Sequence, residues 1–258
     1  MIPADDRGFA LGDGLFETVL ARAGDLMLWD AHMARLARGC DVLGMPVPDA
    51  AACRRAAEGA LFEAGLHKTR AAVRLSWTAG SGGRGVERPT PLKPRLIVSA
   101  SPRPVDDGPL RLHTAAVRRN DASPGSRLKA MAYLDNVLAR REANAAGADE
   151  ALMLNTRGEL ACAAAANLFW LSGRTLMTPA LECGVLDGTL RGLLIERAQA
   201  AGWSVQAVRA GPEALADADA IFLTNCVMGV KPVAALDGRM LEPHATVSAL
   251  AAMVADSV

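Results

Sequence analysis

Of 28 cationic side chains in the chain, only four are lysines (Lys68, Lys93, Lys129 and Lys231), so arginine is its default positive charge and a retained lysine invites a chemical reason. Lysine differs from arginine in two ways: it can lose its proton when desolvated, and its free amine can attack a carbonyl carbon. Lys129 stands in SRLKAMAYLDNVLARREA, flanked by Leu128, Ala130, Met131 and Ala132. Apolar neighbours disfavour the ammonium form, leaving an amine able to act as nucleophile and base. Tyr133, the single tyrosine, follows four residues later. As a solvated lysine at a helix start, Lys129 would need no function.

A second group of residues has the chemistry of an anion seat. GVLDGTLRGLLIERA places Gly184 and Gly188 in a turn that opens an amphipathic helix, where the N–H groups of Thr189 and Leu190 face outward from its positive end. FLTNCVMGVKPV ends a strand in a polar turn, so Asn225 and the N–H of Cys226 are candidates for the same anion. Arg35 follows His32 by three residues in HMARL, on one helix face. GSGGRG, residues 80–85, reads as a flexible loop with one cation, Arg84, suited to a substrate carboxylate; its glycines do not have the order of a P-loop. Each of these pieces alone also fits an ordinary loop or surface residue.

The elements that must position these groups are legible in outline. FETVLARAGDLMLWD reads as two strands joined at Gly24-Asp25, and Asp30 as the cap of a helix with Met33, Leu36, Cys40 and Leu43 on its core face, stopped by Gly44 and Pro46. A helix over 49–65, then the strands AAVRLSWTA and RLIVSAS, complete a first part that is not a βαβ repeat. SPRPVDDGP, residues 101–109, has linker composition and predicts domains of 1–104 and 105–258. Beyond it come a strand near 110–117, a helix over 134–146 ended by Gly147, and strands broken at Thr156-Arg157-Gly158 and Ser172-Gly173-Arg174, which read as an antiparallel meander. A helix over 189–201, the strands SVQAV and AIFLTN, and an alanine-rich helix follow, giving an α+β class in two halves.

Composition limits the partners. With 51% hydrophobic residues, zero formal net charge and no basic or acidic block, the chain offers no electrostatic surface for nucleic acid or anionic lipid, and small molecules are the expected ligands. The five cysteines (Cys40, Cys53, Cys162, Cys183, Cys226) form no metal-binding or disulfide pattern and read as reduced, mostly buried thiols. No metal site is expected. No apolar run reaches membrane-span length and MIPADDRGF lacks the regions of a signal peptide, so cytoplasm is the expected location.

Taken together, DRGFALGDGLFET, HMARL, LKAMAYLDNVLARREANAAGADEALML, ANLFW, TPALECGVLDGTLR and FLTNCVMGVKPV, in this order across nearly the whole chain, resemble the fold type IV pyridoxal-phosphate enzymes. This is the class IV family of branched-chain and D-amino-acid transaminases and aminodeoxychorismate lyase. The resemblance implies a two-domain α+β fold, with a small N-terminal domain and a larger C-terminal domain rich in antiparallel strands. It implies that Lys129 holds pyridoxal 5'-phosphate covalently, that Arg35 binds its phosphate with Thr189, Leu190, Asn225 and Cys226 around it, and that Tyr133 meets its phenolic oxygen. Arg84, Phe16 and Arg74 are the candidates for substrate contact. A homodimer, with the cofactor between the domains, is implied as well. GSGGRG and TNCVMGVKPV look most like the lyase branch, which turns 4-amino-4-deoxychorismate into 4-aminobenzoate and pyruvate for folate synthesis; a transaminase of the same fold and a protein that has lost catalysis are the alternatives. The arginine of the D-amino-acid transaminases' TRG motif is Ala79 here, which counts against that branch.

One departure from the family pattern bears on the chemistry. Where the family has a glutamate that keeps the pyridine nitrogen protonated, LACAAAAN puts Cys162, and Glu159, three positions earlier, points to the opposite face of a strand. A thiol supplies no fixed negative charge, so the ring should be a weaker electron sink. A reaction that ends in an aromatic ring has a driving force that transamination lacks.

Overall fold

The computed structural model describes residues 2–106 and 108–258; Met1, in the segment read for a leader, and Asp107, in the expected linker, lie outside them. The chain forms two compact units, the first running to Val105 and including Leu128–Ala132, the second holding the rest. The sequence boundary at 104/105 therefore shifts by a residue, and the Lys129 segment belongs to the first unit rather than the second.

In the first unit, α1 (Arg7–Leu11) is capped by Asp6, whose carboxylate accepts from the N–H of Gly8 and Phe9. β1 (Gly14–Arg22) turns through Ala23 and Gly24, both at positive φ, into β2 (Asp25–Leu26). Next come α2 (Trp29–Leu43), α3 (Ala50–Glu63), β3 (Arg70–Thr78) and β4 (Arg95–Pro102). The strands form an antiparallel sheet in the order β2-β1-β3-β4. Leu36 and Cys40 of α2 pack on Leu15 with Met33 and Leu43 at the margin, as their spacing predicts. Asp30 is not the cap: the helix begins at Trp29 after a left-handed Leu28 (φ 52), leaving Asp30 in the first turn, where its charge still suits the helix dipole.

The return of Leu128–Ala132 to this unit has a backbone cause. β2 pairs only with Ala21 and Arg22, so the first half of β1 has an open edge on that side. Leu15 forms a bridge with Ala130, the N–H of Phe16 donates to the Lys129 carbonyl (2.9 Å), and the N–H of Met131 donates to the Gly14 carbonyl (3.0 Å).

The second unit contains β5 (Leu110–Thr114), α4 (Leu134–Ala145), β6 (Glu150–Leu154), β7 (Leu160–Ala163), β8 (Asn167–Ser172), β9 (Thr175–Pro179), α5 (Thr189–Ala200), β10 (Ser204–Val208), β11 (Ala220–Asn225), β12 (Gly229–Leu236), β13 (Arg239–Met240) and α6 (Ala245–Ala252). Among the described residues its strands run β10-β9-β8-β11-β12-β5-β6-β7, with β13 on β12, and a β7–β8 pairing closes β8, β11, β12, β5, β6 and β7 into a ring. Alternate residues of those strands, including Leu112, Leu152, Leu160, Leu168, Trp170, Ile221, Leu223 and Val233, meet in one core. The expected meander is present over β6 to β9, but β5 lies parallel to both β6 and β12, and β10 parallel to β9. β12 escapes the sequence reading because it contains Pro232, which argues against an inner strand, yet it lies between β11 and β5.

Candidate active site

In the first unit the candidate groups are arranged about β1. Strand alternation sends Phe16 to one face and Leu15 and Glu17 to the other. Phe16 is buried, and two cations meet its ring: the Lys129 Nζ lies 4.4 Å from the ring centroid and the Arg74 guanidinium carbon 3.7 Å. The ring quadrupole attracts both. Lys129 itself is half-buried, held by the backbone bonds to β1 rather than by a helix start. The structure thus brings together Lys129, Phe16 and Arg74, three of the residues singled out from sequence.

Arg35 serves the opposite face of β1. Its Nε donates to Glu17 Oε1 (2.8 Å) and its Nη2 to Oε2 (2.5 Å), while His32 Nδ1 lies 2.7 Å from the same Oε2. All three side chains are buried. Burial alone would raise the Glu17 pKa, but Arg35, and after it His32, bring it down from 4.5 to about 2. The sequence reading missed Glu17; the available signal was a carboxylate in mid-strand between Phe16 and Thr18, with its partners fifteen and more residues further along.

GSGGRG is not a free loop. Arg7 is buried, and its Nη1 donates to the carbonyls of Glu87 (2.8 Å), Gly85 (3.2 Å) and Gly82 (3.3 Å), its Nη2 to that of Val86 (3.1 Å), and its Nε to Asp13 (2.8 Å). The chain around Gly83 comes so close to itself that a Cβ there would stand 2.2 Å from the Glu87 carbonyl, at a φ of +85. Arg84 is exposed on the outside of this turn, forms a backbone bridge with Glu87, and is not among the cations at Phe16. Ala79, in place of the TRG arginine, is fully buried.

The remaining candidates lie in the second unit. Thr189 and Leu190 open α5 behind Gly188, which stands at the N-cap and makes no side-chain cap hydrogen bond. The Asn225 carboxamide shapes the turn after β11: its oxygen accepts from the N–H of Val227 (2.9 Å) and Met228 (2.8 Å), and its nitrogen donates to the Ala165 carbonyl (3.0 Å). Next to it the Thr224 hydroxyl is buried with no hydrogen-bond partner. Cys226 follows in the same turn, and Tyr133 stands at the N-cap of α4, directly after the segment that returns to the first unit. Cys162 on β7 is buried, and that burial raises its thiol pKa against the lowering effect of Arg119. The Glu159 carboxylate accepts from Arg209, Arg157 and Asn155, and the Cys183 thiol donates to it (3.8 Å). All five cysteines are free thiols, four of them buried.

A helix start without a side-chain cap and a buried hydroxyl in the second unit, and a half-buried amine in the first, are each of the kind that a phosphorylated aldehyde takes. Among the described residues no helix is long and apolar enough to cross a membrane. Residues 14–236 match the family pattern described as amino-transferase class IV. The chain is 31% identical over 230 residues to the aminodeoxychorismate lyase of Bacillus subtilis, covering 88% of this chain and 78% of that protein. It is 27% identical over 276 residues to the bifunctional aminodeoxychorismate lyase / D-amino acid transaminase of Mycobacterium tuberculosis, covering 100% of this chain and 93% of that one. The crystal structure of 4-amino-4-deoxychorismate lyase from Pseudomonas aeruginosa superposes with a TM-score of 0.88 at 34% identity, covering 100% of this chain and 96% of that one. The chain is a fold type IV protein and belongs to the class IV aminotransferase family.

Proposed function

We propose that the protein is a pyridoxal-phosphate-dependent 4-amino-4-deoxychorismate lyase, releasing pyruvate and leaving 4-aminobenzoate, a folate precursor. The observation that carries this reading is the buried, uncharged thiol of Cys162 in a family whose pattern has a carboxylate there, together with the retained amine of Lys129. Lys129 would hold the cofactor's aldehyde carbon, and the start of α5 with the Asn225–Cys226 turn would hold its phosphate. When bound, the cofactor supplies a carbonyl carbon for amine chemistry and a ring that accepts an electron pair.

The chain's own residues then have limited work. The Lys129 amine takes the proton from the amine-bearing ring carbon of the substrate. The neighbouring carbon–oxygen bond breaks, the enolpyruvyl group leaves to become pyruvate, and the ring becomes aromatic, so substrate and products balance without water or oxidant. Phe16 packs beneath the amine and fixes where it approaches; Arg74, stacked on the same ring, is the better-placed cation for a substrate carboxylate, while Arg84 lies on the outer turn of its loop. Aromatisation supplies a driving force that makes a strongly electron-withdrawing ring unnecessary, which is the property a Cys162 site lacks.

Likeness to the bifunctional Mycobacterium tuberculosis protein favours transamination as the second reading. Coupled detection of pyruvate separates the two. The lyase releases pyruvate from aminodeoxychorismate without an added keto acid and loses that activity in Lys129→Ala; a transaminase turns over only when a keto acid is supplied. A protein that binds the cofactor and releases nothing in either assay would sink both. The same reading includes a homodimer, tested by sedimentation of the purified protein.

A further inference from the structure

Among the described residues the side chain of Arg119 has no counter-charge. This arginine is buried in the second unit, its backbone lying alongside β6 through the bond from its N–H to the Leu154 carbonyl (2.8 Å). Its Nε donates to the Gly184 carbonyl (3.0 Å), its Nη1 to Asn136 Oδ1 (3.2 Å), and its Nη2 to the Ser126 carbonyl. All three acceptors are neutral, and among the described residues no carboxylate forms an ion pair with it. A buried guanidinium is ordinarily matched by an acid, because an uncompensated charge is costly away from water.

Two of that cation's partners lead to the surroundings of Cys162, and its charge acts on the thiol. Cys162 packs with Cys183 and Val185, the neighbours of the Gly184 carbonyl that Arg119 holds. Asn136, the second partner of Arg119, donates through its Nδ2 to the Ala164 carbonyl (2.7 Å), two residues beyond Cys162. The other charged groups around this strand are already matched. Glu150 is paired with Arg140 through both carboxylate oxygens. Glu159 faces Arg157 and Arg209, and Asp121 faces Arg157 and the Thr156 hydroxyl. Cys183 is a raised, protonated thiol, as is Cys162. Two charges act on Cys162 in opposite senses, Arg119 lowering its pKa and Glu150 raising it, and of the two only Glu150 has an ion-pair partner among the described residues.

We propose that Arg119 is a positioning residue that, acting from beside Cys162, keeps the ring nitrogen of bound pyridoxal phosphate unprotonated. This rests on the reading above, in which Cys162 stands where the ring nitrogen's acidic partner would be. A nitrogen that has lost a carboxylate and faces a guanidinium has nothing to stabilise its protonated form, so the ring operates as a neutral pyridine. In this protein the loss at position 162 is thus more than a weakened contact: the carboxylate is gone and the Arg119 guanidinium stands beside the place it would hold.

The test follows the nitrogen directly, without turnover. Cofactor-free protein is loaded with pyridoxal phosphate carrying nitrogen-15 in the ring, attachment at Lys129 is verified by hydride trapping and mass spectrometry, and the nitrogen chemical shift is followed with pH. The wild-type nitrogen is expected to remain unprotonated at neutral pH. In Arg119→Met its protonation midpoint should rise by about one pH unit or more, a tenfold change in the proton-binding constant. Arg119→Lys, which keeps the charge, should stay near wild type, and Cys162→Glu should give a protonated nitrogen. A protonated nitrogen in the wild type, or a midpoint that Arg119→Met and Arg119→Lys leave equal, overturns the proposal. Should Arg119→Met fail to fold, Arg119→Gln takes its place under the same criterion. Failure of the cofactor to attach at Lys129 overturns the functional reading itself, and this proposal with it, and is seen in the trapping step before any spectrum is taken.

Discussion

The Asn167 side-chain oxygen fills the space that a Cβ on residue 188 would need: such a carbon would stand 2.0 Å from it. The other end of the carboxamide donates to the Leu186 carbonyl (2.8 Å), so one buried side chain pins the turn that delivers the start of α5. Gly188 has an ordinary extended φ of −72, so its requirement is one of space rather than of backbone freedom.

Gly188→Ala must therefore displace Asn167 or the helix start, at a cost of about 1–3 kcal/mol. Urea unfolding should register that loss. Cofactor affinity should fall along with it, because the N–H groups of Thr189 and Leu190 move with the turn. Unchanged stability and unchanged affinity would show that the turn has room to spare.

Lys129→Arg retains a cation for the Phe16 ring but no amine that can bond to a carbonyl carbon. The variant should fold normally, give no pyridoxyl adduct on hydride trapping, and lose activity by about a thousandfold or more. A hydride-trapped adduct in this variant would place the reactive amine elsewhere.

Glu17 carries a pH dependence whose sign follows from its depressed pKa. Its carboxylate is stabilised in the folded protein, so its contribution is fully present above the ordinary value of 4.5 and is lost as pH falls towards about 2. Glu17→Gln leaves Arg35 buried without its counter-charge and should cost about 3–5 kcal/mol at neutral pH. It should also flatten the acid limb of the stability profile. Denaturant titrations of both proteins over that range make the comparison; an unchanged acid limb would mean that other carboxylates dominate it.

Arg7→Lys removes most of the donors that gather the carbonyls of Gly82, Gly85, Val86 and Glu87. Amide hydrogen exchange over residues 80–87 should accelerate, with a global loss of about 1–3 kcal/mol. Exchange confined to its wild-type rate would show that the glycine turns alone hold the loop.

Cys162→Glu restores a carboxylate beside Arg119. The ratio of transamination to pyruvate release should rise, measured with the same protein supplied in turn with an amino donor plus keto acid and with aminodeoxychorismate. A ratio that does not move would separate the identity of residue 162 from the choice of reaction.

Local signals carried much of the architecture. The α2 face of Met33, Leu36, Cys40 and Leu43, the stop at Gly44, and the start of α5 behind Gly188 all follow from periodicity and capping chemistry within a few residues. What escaped depends on distant chain. β12 is an inner strand despite Pro232 because β11 and β5 flank it on both sides. Asn225 was legible as a polar residue at a turn, but its role, like that of Arg7, which the sequence did not single out, is fixed by carbonyls and amides elsewhere. Arg119 gave no signal at all, since its significance lies in a missing partner. The residue type at 129 was readable as chemistry, whereas its place at the edge of β1 could not be read, because nothing local shows that β2 stops at Leu26.

The brief return of Leu128–Ala132 to the first unit means that the two bodies are not consecutive in the gene. Severing the polypeptide after Val105 would leave the amino-terminal piece without the five residues that bond to the open edge of β1, Lys129 among them. A cut at that point therefore removes backbone partners from a strand that lies wholly on its other side.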